Sequence, residues 1–133
     1  MFLPIKYFCW ALDIVQQAPY ILGMALTPER KVKDLVVAQL KARGAYYFFP
    51  ASNGFGRMGI PDIIVCHHGS FIAIECKAGK GKTTRLQDRE LDNINKAGGV
   101  AIVINETNIA LVTRILTSKE TNHARKATSP PTP

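Results

Sequence analysis

The chain has 133 residues, which is enough for one domain with a hydrophobic core and too few for two. Hydrophobic residues make up 47% and charged residues 20%, a balance that excludes a disordered chain. Lysine and arginine total 17 against 10 acidic residues, and the net charge of +7 favours a polyanionic partner, nucleic acid first and an anionic membrane surface second.

The three cysteines, Cys9, Cys66 and Cys76, follow no metal-ligand spacing, and their odd number argues against a disulfide framework. A reducing, intracellular environment is therefore predicted. Residues 1–23 are apolar but include Lys6 and Asp13, which makes them a poor membrane span and favours an N-terminal extension that is either poorly ordered or loosely packed. The domain is predicted over residues 24–118, and the Pro, Ser and Thr content of residues 119–133 predicts a disordered tail.

The first predicted helix covers residues 28–43, because Thr27 is a good N-cap and Gly44 suits a C-terminal stop. Apolar residues recur at helical spacing between them, namely Val32, Leu35, Val36 and Leu40. Glu29 lies three residues before the first of these. It is therefore predicted to stand at the head of the inward stripe rather than on the solvated face.

Three strands and two loops are predicted next. "AYYFFP" (45–50) is typical of an aromatic strand, and "ASNGFGRMG" (51–59) of a glycine-rich loop. Residues 60–67 and 71–77 are predicted to form a hairpin around "HHGS", and "KAGKGK" (77–82) a basic flexible loop.

The remaining elements complete an α/β fold. Thr84 is the predicted N-cap of a second helix with Leu86, Leu91 and Ile94 inside, ended by two glycines at 98–99. "VAIVIN" (100–105) predicts a strand covered on both faces, and residues 106–118 a last helix, with a strand over 109–113 as the alternative. The predicted order is α-β-β-β-α-β-α.

Ionisable residues collect at one end of the hairpin. If the turn is centred between residues 68 and 69, Asp62 lies opposite Glu75, and Lys77 shares their face. Opposed side chains have Cβ atoms about 4.5–5.5 Å apart, and two carboxylates that close repel unless a cation lies between them. Oxygen ligands suit Mg²⁺, so a divalent cation site is predicted. The structural alternatives are a Pro-Asp turn and a surface Glu-x-Lys ion pair.

Two histidines follow at the other end of the hairpin. His67 and His68 invite a metal interpretation, but they are far from Asp62 and Glu75 along the strands. A role in the turn or facing DNA is therefore favoured for them, and they are left out of the predicted metal site.

The motifs Pro61-Asp62 and Glu75-Cys76-Lys77 resemble the core motif of the PD-(D/E)xK nuclease superfamily. Their context is similar to the virus-type replication-repair nuclease (VRR-NUC) branch, especially its small standalone phage and bacterial members. Arg57 and Gly59 precede the Asp in a glycine-rich approach, and a helix bearing Gln87 follows the Lys. The resemblance covers residues 26–105 and implies a restriction-endonuclease-like core, a mixed sheet flanked by helices.

The resemblance also implies the chemistry. It places the metal ligands on Asp62 and Glu75, the catalytic lysine on Lys77, an acid on Glu29 and a glutamine on Gln87. The backbone carbonyl of Cys76 is a third expected metal ligand, and Glu29 is a further candidate. The implied reaction is Mg²⁺-dependent hydrolysis of a DNA phosphodiester, with Mn²⁺ able to substitute. The setting would be the cytoplasm of a bacterial cell or phage-infected host.

DNA is the predicted partner. The candidate phosphate contacts are Lys31, Arg57, Lys80, Lys82 and Arg85. A domain this small favours recognition of DNA shape, and by resemblance standalone members act as homodimers on Holliday junctions. The N-terminal residues, or Tyr46, Phe48 and their neighbours, are candidates for the dimer surface. The alternatives are a flap or restriction-like nuclease and a non-catalytic DNA-binding module.

Overall fold

The structure, a computed structural model, describes residues 27–51 and 56–128. The predicted extension over residues 1–23 lies outside these ranges, as do residues 129–133 of the predicted tail. Within the described ranges, no helix combines the length and the apolar character needed to cross a membrane.

The described residues form helices and strands in the predicted order, α-β-β-β-α-β-α. The elements are α1 (Pro28–Ala42), β1 (Tyr46–Phe48), β2 (Ile63–His67), β3 (Ser70–Cys76), α2 (Arg85–Lys96), β4 (Val100–Ile104) and α3 (Ala110–Thr128). The four strands form one sheet in the order β1-β2-β3-β4. The first two pairings are antiparallel and β3 pairs with β4 in parallel, so the predicted mixed sheet is confirmed.

The turn of the β2–β3 hairpin has two residues, His68 and Gly69, because β3 begins at Ser70, one residue before the predicted start. Both have positive φ, +47° and +74°, as a tight hairpin turn requires. The strands pair Ile63 with Ile74 and His67 with Ser70, so paired numbers sum to 137 as predicted. The hairpin therefore carries Asp62 and Glu75 at one end and the two histidines at the other.

The hydrophobic core lies between one face of the sheet and the helices α1 and α3. Its buried members are Val32, Val36, Leu40, Ile63, Val65, Ile72, Ile74, Cys76, Ile104, Val112 and Leu116. Helix α1 is buried only at every fourth residue, so Leu35, predicted inside, is exposed. The side chain of Gln39 ties the two helices together, because it donates to the Ile109 carbonyl and accepts from the backbone of Thr113.

Helix α2 covers the opposite face of the sheet at the β3–β4 side. Leu91 is buried there and Ile94 is half-buried, as predicted, but Leu86 is exposed. Strand β4 is an edge strand, and Ile104 alone among its five residues is fully buried. Helix α2 lies over one face of β4, and Val100 and Ile102 pack against the core on the other. The predicted coverage of β4 on both faces is therefore confirmed, although four of its five residues are only half-buried.

Helix α3 differs from its prediction at both ends. It begins at Ala110 rather than at residue 106, because the residues before Ala110 form a turn. In this turn the backbone N–H of Asn105 donates a hydrogen bond to the side-chain oxygen of Asn108. It continues to Thr128, so the prediction of disorder is wrong for residues 119–128, and the strand alternative over 109–113 is also wrong. Glu120 explains the extension, since it contacts His67 on β2 and Arg43 after α1.

Candidate functional site

The predicted acidic and basic residues meet where β3 leaves the sheet. Glu75 is 1% exposed, and its Oε1 lies 2.8 Å from the Lys77 Nζ. The Gln87 Nε2, from the first turn of α2, donates to the same oxygen. The other carboxylate oxygen of Glu75, Oε2, is buried and has no hydrogen-bond partner among the described residues. A buried carboxylate with one unsatisfied oxygen is costly unless a ligand completes it.

Asp62 lies beside this carboxylate, one residue before β2. Its Oδ2 accepts a hydrogen bond of 2.9 Å from the backbone N–H of Cys76, the residue between Glu75 and Lys77. Its Oδ1 lies 3.7 Å from the Lys33 Nζ of α1. The structure therefore brings Asp62, Glu75 and Lys77 together at one end of the hairpin.

Gln87 has two partners, so both interpretations of it apply. Its Oε1 accepts from the backbone N–H of Thr84 while the Thr84 hydroxyl accepts from the Gln87 N–H, which is a capping box at the start of α2. Its Nε2 is directed to Glu75. The cap fixes the amide, and the amide in turn fixes the carboxylate.

Glu29 is not turned inward. Its side chain is 54% exposed, because Glu29 lies in the first turn of α1, before Val32, which is the first buried residue of the helix. Its Oε1 nevertheless lies 3.7 Å from the Lys77 Nζ. The prediction of burial is wrong, whereas the predicted approach to the charged end of the hairpin is correct.

The protonation of Glu75 and Lys77 follows from these contacts. Burial raises the pKa of Glu75 above its ordinary 4.5, and the negative charge of Asp62 adds to the rise, although the Lys77 hydrogen bond opposes it. Burial lowers the pKa of Lys77, but the hydrogen bond and the charges of Glu75 and Glu29 outweigh it, and the net shift is upward from 10.5. Without a bound metal ion, Lys77 is therefore an ammonium group at neutral pH.

Cys76 offers its backbone rather than its thiol. Burial, together with the charge of Asp62, raises the pKa of the thiol to about 12, so it is protonated and unreactive at neutral pH. The N–H of Cys76 points to Asp62. Because a strand residue directs its N–H and C=O to the same side, the Cys76 carbonyl faces Asp62 as well.

This donor set fits a hard divalent cation. It combines two adjacent carboxylates, one of which has an unsatisfied buried oxygen and a raised pKa, with a backbone carbonyl at their side. Mg²⁺ and Mn²⁺ take oxygen ligands of this kind. A cation between Asp62 and Glu75 would relieve both the repulsion and the missing contact.

Three residues of the site were missed from the sequence. Lys33 lies four residues after Glu29, so helical spacing places both on one side of α1. Glu90 is three residues after Gln87; it is buried, and its Oε2 lies 2.8 Å from the Arg57 Nε. Glu106 accepts hydrogen bonds from the Gly79 N–H and so holds the basic loop. Only Lys33 and Glu90 carried a signal, their helical spacing.

The predicted DNA contacts border this end of the sheet. All five are exposed, and Arg57 is in addition ion-paired with the buried Glu90. A cleft of about 570 Å³ lies next to Asp62, and its lining includes Lys33, Arg57, Met58, Gly59, Leu86 and Gln87. Asp62 itself lines the cleft, so the cleft gives an extended polyanion access to this carboxylate.

The chain was compared with known proteins. A family model described as archaeal Holliday junction resolvase (hjc) matches residues 29–123. Among solved structures, the chain is similar to Hjc from Archaeoglobus fulgidus, described as a Holliday junction resolvase from an archaeal hyperthermophile. The TM-score is 0.45 and the identity 25%, over 58% of this chain and 65% of that one, so the chain spans slightly under two thirds of that structure's length. A search of curated proteins gave no match.

The family model spans well over half of the chain, and it includes every element from α1 to β4 and most of α3. The Hjc family is part of the restriction-endonuclease-like superfamily, which agrees with the broader resemblance of the Pro61-Asp62 and Glu75-Cys76-Lys77 motifs. This chain belongs to the archaeal Holliday junction resolvase (Hjc) family.

Proposed function

We propose that the chain is a metal-dependent endonuclease that hydrolyses DNA phosphodiester bonds in branched DNA, with the Holliday junction as its substrate. The observation that carries this proposal is the buried Glu75, which lies beside Asp62 and Lys77 and has one oxygen with no hydrogen-bond partner among the described residues. Membership of a family of Holliday junction resolvases supports the choice of substrate.

The proposed metal ligands are Asp62, Glu75 and the backbone carbonyl of Cys76, with Glu29 as a further candidate. The proposed ion is Mg²⁺, and Mn²⁺ is expected to substitute because it accepts the same oxygen donors. When bound, such an ion lowers the pKa of a coordinated water and neutralises the charge that grows on the scissile phosphate.

Lys77 is the proposed catalytic lysine. Because it stays charged at neutral pH, it acts as a hydrogen-bond donor that orients the attacking water or holds a phosphate oxygen. Glu75 and Glu29, at 2.8 and 3.7 Å, fix the position of its ammonium group. Gln87 acts through Glu75, since its amide donates a hydrogen bond to the Oε1 of Glu75. The Oε2 of Glu75 has no hydrogen-bond partner among the described residues. Gln87 is therefore a positioning residue in this proposal.

Exposed basic residues are proposed to bind the DNA backbone, namely Lys31, Lys80, Lys82 and Arg85. Lys33 lines the cleft next to Asp62 and joins this group. The proposal for Arg57 is more limited, because its guanidinium already pairs with the buried Glu90. The ion pair anchors the glycine-rich segment to α2, and contact with DNA would be secondary.

A homodimer is the proposed assembly. Tyr46 on β1, Cys66 on β2 and Phe71 on β3 are opposite one another in the strand register, and all three are exposed. Phe48 lies next to Tyr46 on the same face, with ring centroids 6.5 Å apart. Exposed aromatic residues gathered on a sheet mark an interaction surface. A second copy related by two-fold symmetry would place two active sites on opposite strands of a junction.

Light scattering at micromolar concentration tests the dimer. The wild-type chain should have the mass of a dimer, and Phe48→Glu should have that of a monomer, because a charge would be buried in the contact. The matched variant Leu35→Glu changes an exposed leucine on α1 and should stay dimeric. A wild-type monomer at this concentration would contradict the proposed dimer.

Two finer predictions stay as proposals. The resemblance to the VRR-NUC branch rests on the motif context around Arg57, Gly59 and Gln87, whereas the family match is to the Hjc resolvases. The proposed setting is the cytoplasm of a bacterial cell or phage-infected host. A flap or restriction-like nuclease and a non-catalytic DNA-binding module are the competing functions.

Cleavage of a labelled panel discriminates among these functions. Linear duplex, a flap and a four-way junction are incubated with the chain in Mg²⁺, in Mn²⁺ and in EDTA. We expect cutting of the junction in either metal and none in EDTA, and loss of cutting but not of binding in Lys77→Ala. Preferred cutting of the flap or of the linear duplex would show that this DNA, and not the junction, is the substrate. Binding with no cutting in either metal would leave only the DNA-binding module.

A further inference from the structure

A second group of metal-ligating side chains lies at the turn end of the β2–β3 hairpin, away from Asp62 and Glu75. One ligand atom each of His67, His68 and Glu120 lies within 4.8 Å of the other two. His67 is 4% exposed, and its Nε2 is 3.1 Å from the Glu120 Oε1. His123 completes the group, because its ring centroid is 5.0 Å from that of His68.

The fold places these side chains together in two pairs. His67 ends β2 on the core face, and His68 follows it in the tight turn, so their rings meet at a centroid distance of 4.4 Å. Glu120 and His123 are three residues apart on α3 and therefore share one side of that helix. One pair comes from the sheet and the other from the helix that covers it.

Glu120 is oriented by a neighbouring arginine. Its Oε2 lies 3.1 Å from an Arg43 guanidinium nitrogen, and its Oε1 is thereby directed to His67. Metal ligands in proteins are commonly held by such an outer partner. The carboxylate is thus fixed in position from the side opposite the histidines.

We propose that His67, His68 and Glu120, with His123 as a fourth ligand, form a binding site for a transition-metal ion of the Zn²⁺ class. Imidazole and carboxylate are ligands that Zn²⁺ takes in tetrahedral sites. Ligand atoms about 2.0–2.1 Å from a tetrahedral ion lie about 3.3 Å apart, so a group within 4.8 Å needs only small side-chain movements. Mg²⁺ prefers oxygen donors, and the two ends of the hairpin therefore select different metals.

The competing interpretation is a structural contact without a metal. A hydrogen bond between His67 and Glu120 would secure α3 to the sheet and requires nothing more. That hydrogen bond does not involve His68 or His123, whose side chains are exposed. The two interpretations therefore differ in what removing either exposed histidine should do.

A bound ion would link the hairpin turn to the last turns of α3. Because the ion binds the folded chain, it should raise the midpoint of thermal unfolding as its concentration increases. Binding requires neutral imidazoles and releases protons, so the affinity should weaken as the pH falls. Neither effect depends on nuclease activity.

The test is Co²⁺ and Zn²⁺ binding by the full chain without a histidine tag. Co²⁺ in a tetrahedral site gives visible absorption, and Zn²⁺ affinity follows from displacement of that signal. His68→Asn keeps a residue that tolerates positive φ but removes the imidazole, and His123→Ala changes an exposed helical position. Cys66→Ser controls for an exposed thiol, and Glu75→Gln for the proposed catalytic site.

We expect one ion per chain at this site, with the Co²⁺ absorption lost and Zn²⁺ affinity lowered more than about tenfold in His68→Asn and in His123→Ala. Both controls should bind Co²⁺ and Zn²⁺ at the histidine site as the wild-type chain does. Absence of Co²⁺ and Zn²⁺ binding at micromolar concentration would overturn the proposal. So would binding that neither histidine variant weakens, or binding that Glu75→Gln abolishes.

Discussion

The two ends of the β2–β3 hairpin are built from the same pair of strands but have different chemistry. They are roughly 17 Å apart along β3, at about 3.4 Å per residue. Side chains alternate between the faces, so Glu75 and Lys77 lie on the α2 side of the sheet, while His67 lies on the side of α1 and α3. The first end offers oxygen donors and the second offers imidazoles.

The two ends also differ in how well they are satisfied without a ligand. Glu75 is buried with the charge of Asp62 nearby, and one of its oxygens has no partner in the part of the chain that the structure describes. Glu120 has both oxygens paired, one with Arg43 and one with His67. An unsatisfied buried carboxylate raises the free energy of the empty site, and a fully paired one does not. The end with the oxygen donors should therefore be stabilised strongly by a metal ion, and the histidine end should fold without one.

The largest expected effect is on catalysis at the oxygen end. Lys77→Ala should lower the single-turnover rate of junction cleavage by about 10²–10³-fold, because it removes a donor aimed at developing charge. Co²⁺ absorption at the histidine end should be unchanged. Lys80→Ala is the matched control, since it removes an exposed lysine three residues along and should leave the rate unchanged at saturating DNA. Equal rates in Lys77→Ala and wild-type chains would show that Lys77 takes no part in cleavage.

A glycine near each end allows a matched test of folding. A Cβ at Gly59 would lie 2.5 Å from the backbone carbonyl carbon of Leu86, and φ there is +79°. Gly59→Ala should lower the free energy of unfolding by about 2–4 kcal/mol and reduce cleavage, since it displaces the residue before Gln87. Gly98, with φ of +92°, lies two residues before the strand that begins opposite Ile72, and a Cβ there meets nothing within 4 Å.

Gly98→Ala should therefore cost only the conformational strain, about 1–2 kcal/mol, and should leave the rate of cleavage unchanged. Urea unfolding and junction cleavage of both variants check these expectations. Equal losses of stability would show that the contact between Gly59 and Leu86 contributes nothing.

A pH series should show that ionisation of the buried Glu75 carboxyl group lowers the stability of the folded chain. Its pKa is raised by burial, so the folded chain holds this proton more tightly than the unfolded chain. The resulting stability is fully present below about pH 4.5 and is lost as the pH rises through the folded pKa. In EDTA, the wild-type chain should lose stability relative to Glu75→Gln as the pH rises from below 4.5 to neutral.

Urea unfolding at several pH values measures this difference. Lys77 does not confuse the result, since its raised pKa affects stability only near and above 10.5. Added Mg²⁺ should restore stability to the wild-type chain and not to Glu75→Gln. If the free energies of unfolding of the two chains changed in parallel with pH, the interpretation of Glu75 as a carboxylate destabilised by burial would be wrong.

The smallest expected effect concerns the backbone of DNA. Lys80→Ala and Lys82→Ala should each reduce the salt dependence of junction binding by about one unit of the log–log slope, because each removes one phosphate contact. Lys41→Ala, an exposed lysine in the last turn of α1 near Arg43, should leave the slope unchanged. A change as large for Lys41 as for Lys80 would place the DNA over both ends.

The sequence was sufficient wherever short-range geometry decides the outcome. Strand alternation and a register summing to 137 placed Asp62, Glu75 and Lys77 together, and both depend on neighbouring residues only. The same holds for Gln87, because helical spacing and the Thr84 cap fix its direction. The family resemblance added the type of reaction, which no local pattern contains.

The sequence was insufficient wherever distant segments meet. The exposure of Glu29 depends on how far α1 extends past the sheet, which spacing within the helix does not determine. The continuation of α3 depends on the contact between Glu120 and His67, 53 residues apart in the chain. The same contact brings Glu120 and α3 to His67 and His68, which the sequence analysis left out of the predicted metal site. With His123 these residues form a group of four.

Anomalous diffraction from crystals soaked with Mn²⁺ tests the central claim most directly. The account predicts a Mn²⁺ peak coordinated by Asp62, Glu75 and the carbonyl of Cys76, with the Lys77 ammonium beside it and no Mn²⁺ density at the same position in Glu75→Gln. Clear Mn²⁺ binding elsewhere, with the two carboxylates uncoordinated at saturating metal, would contradict it.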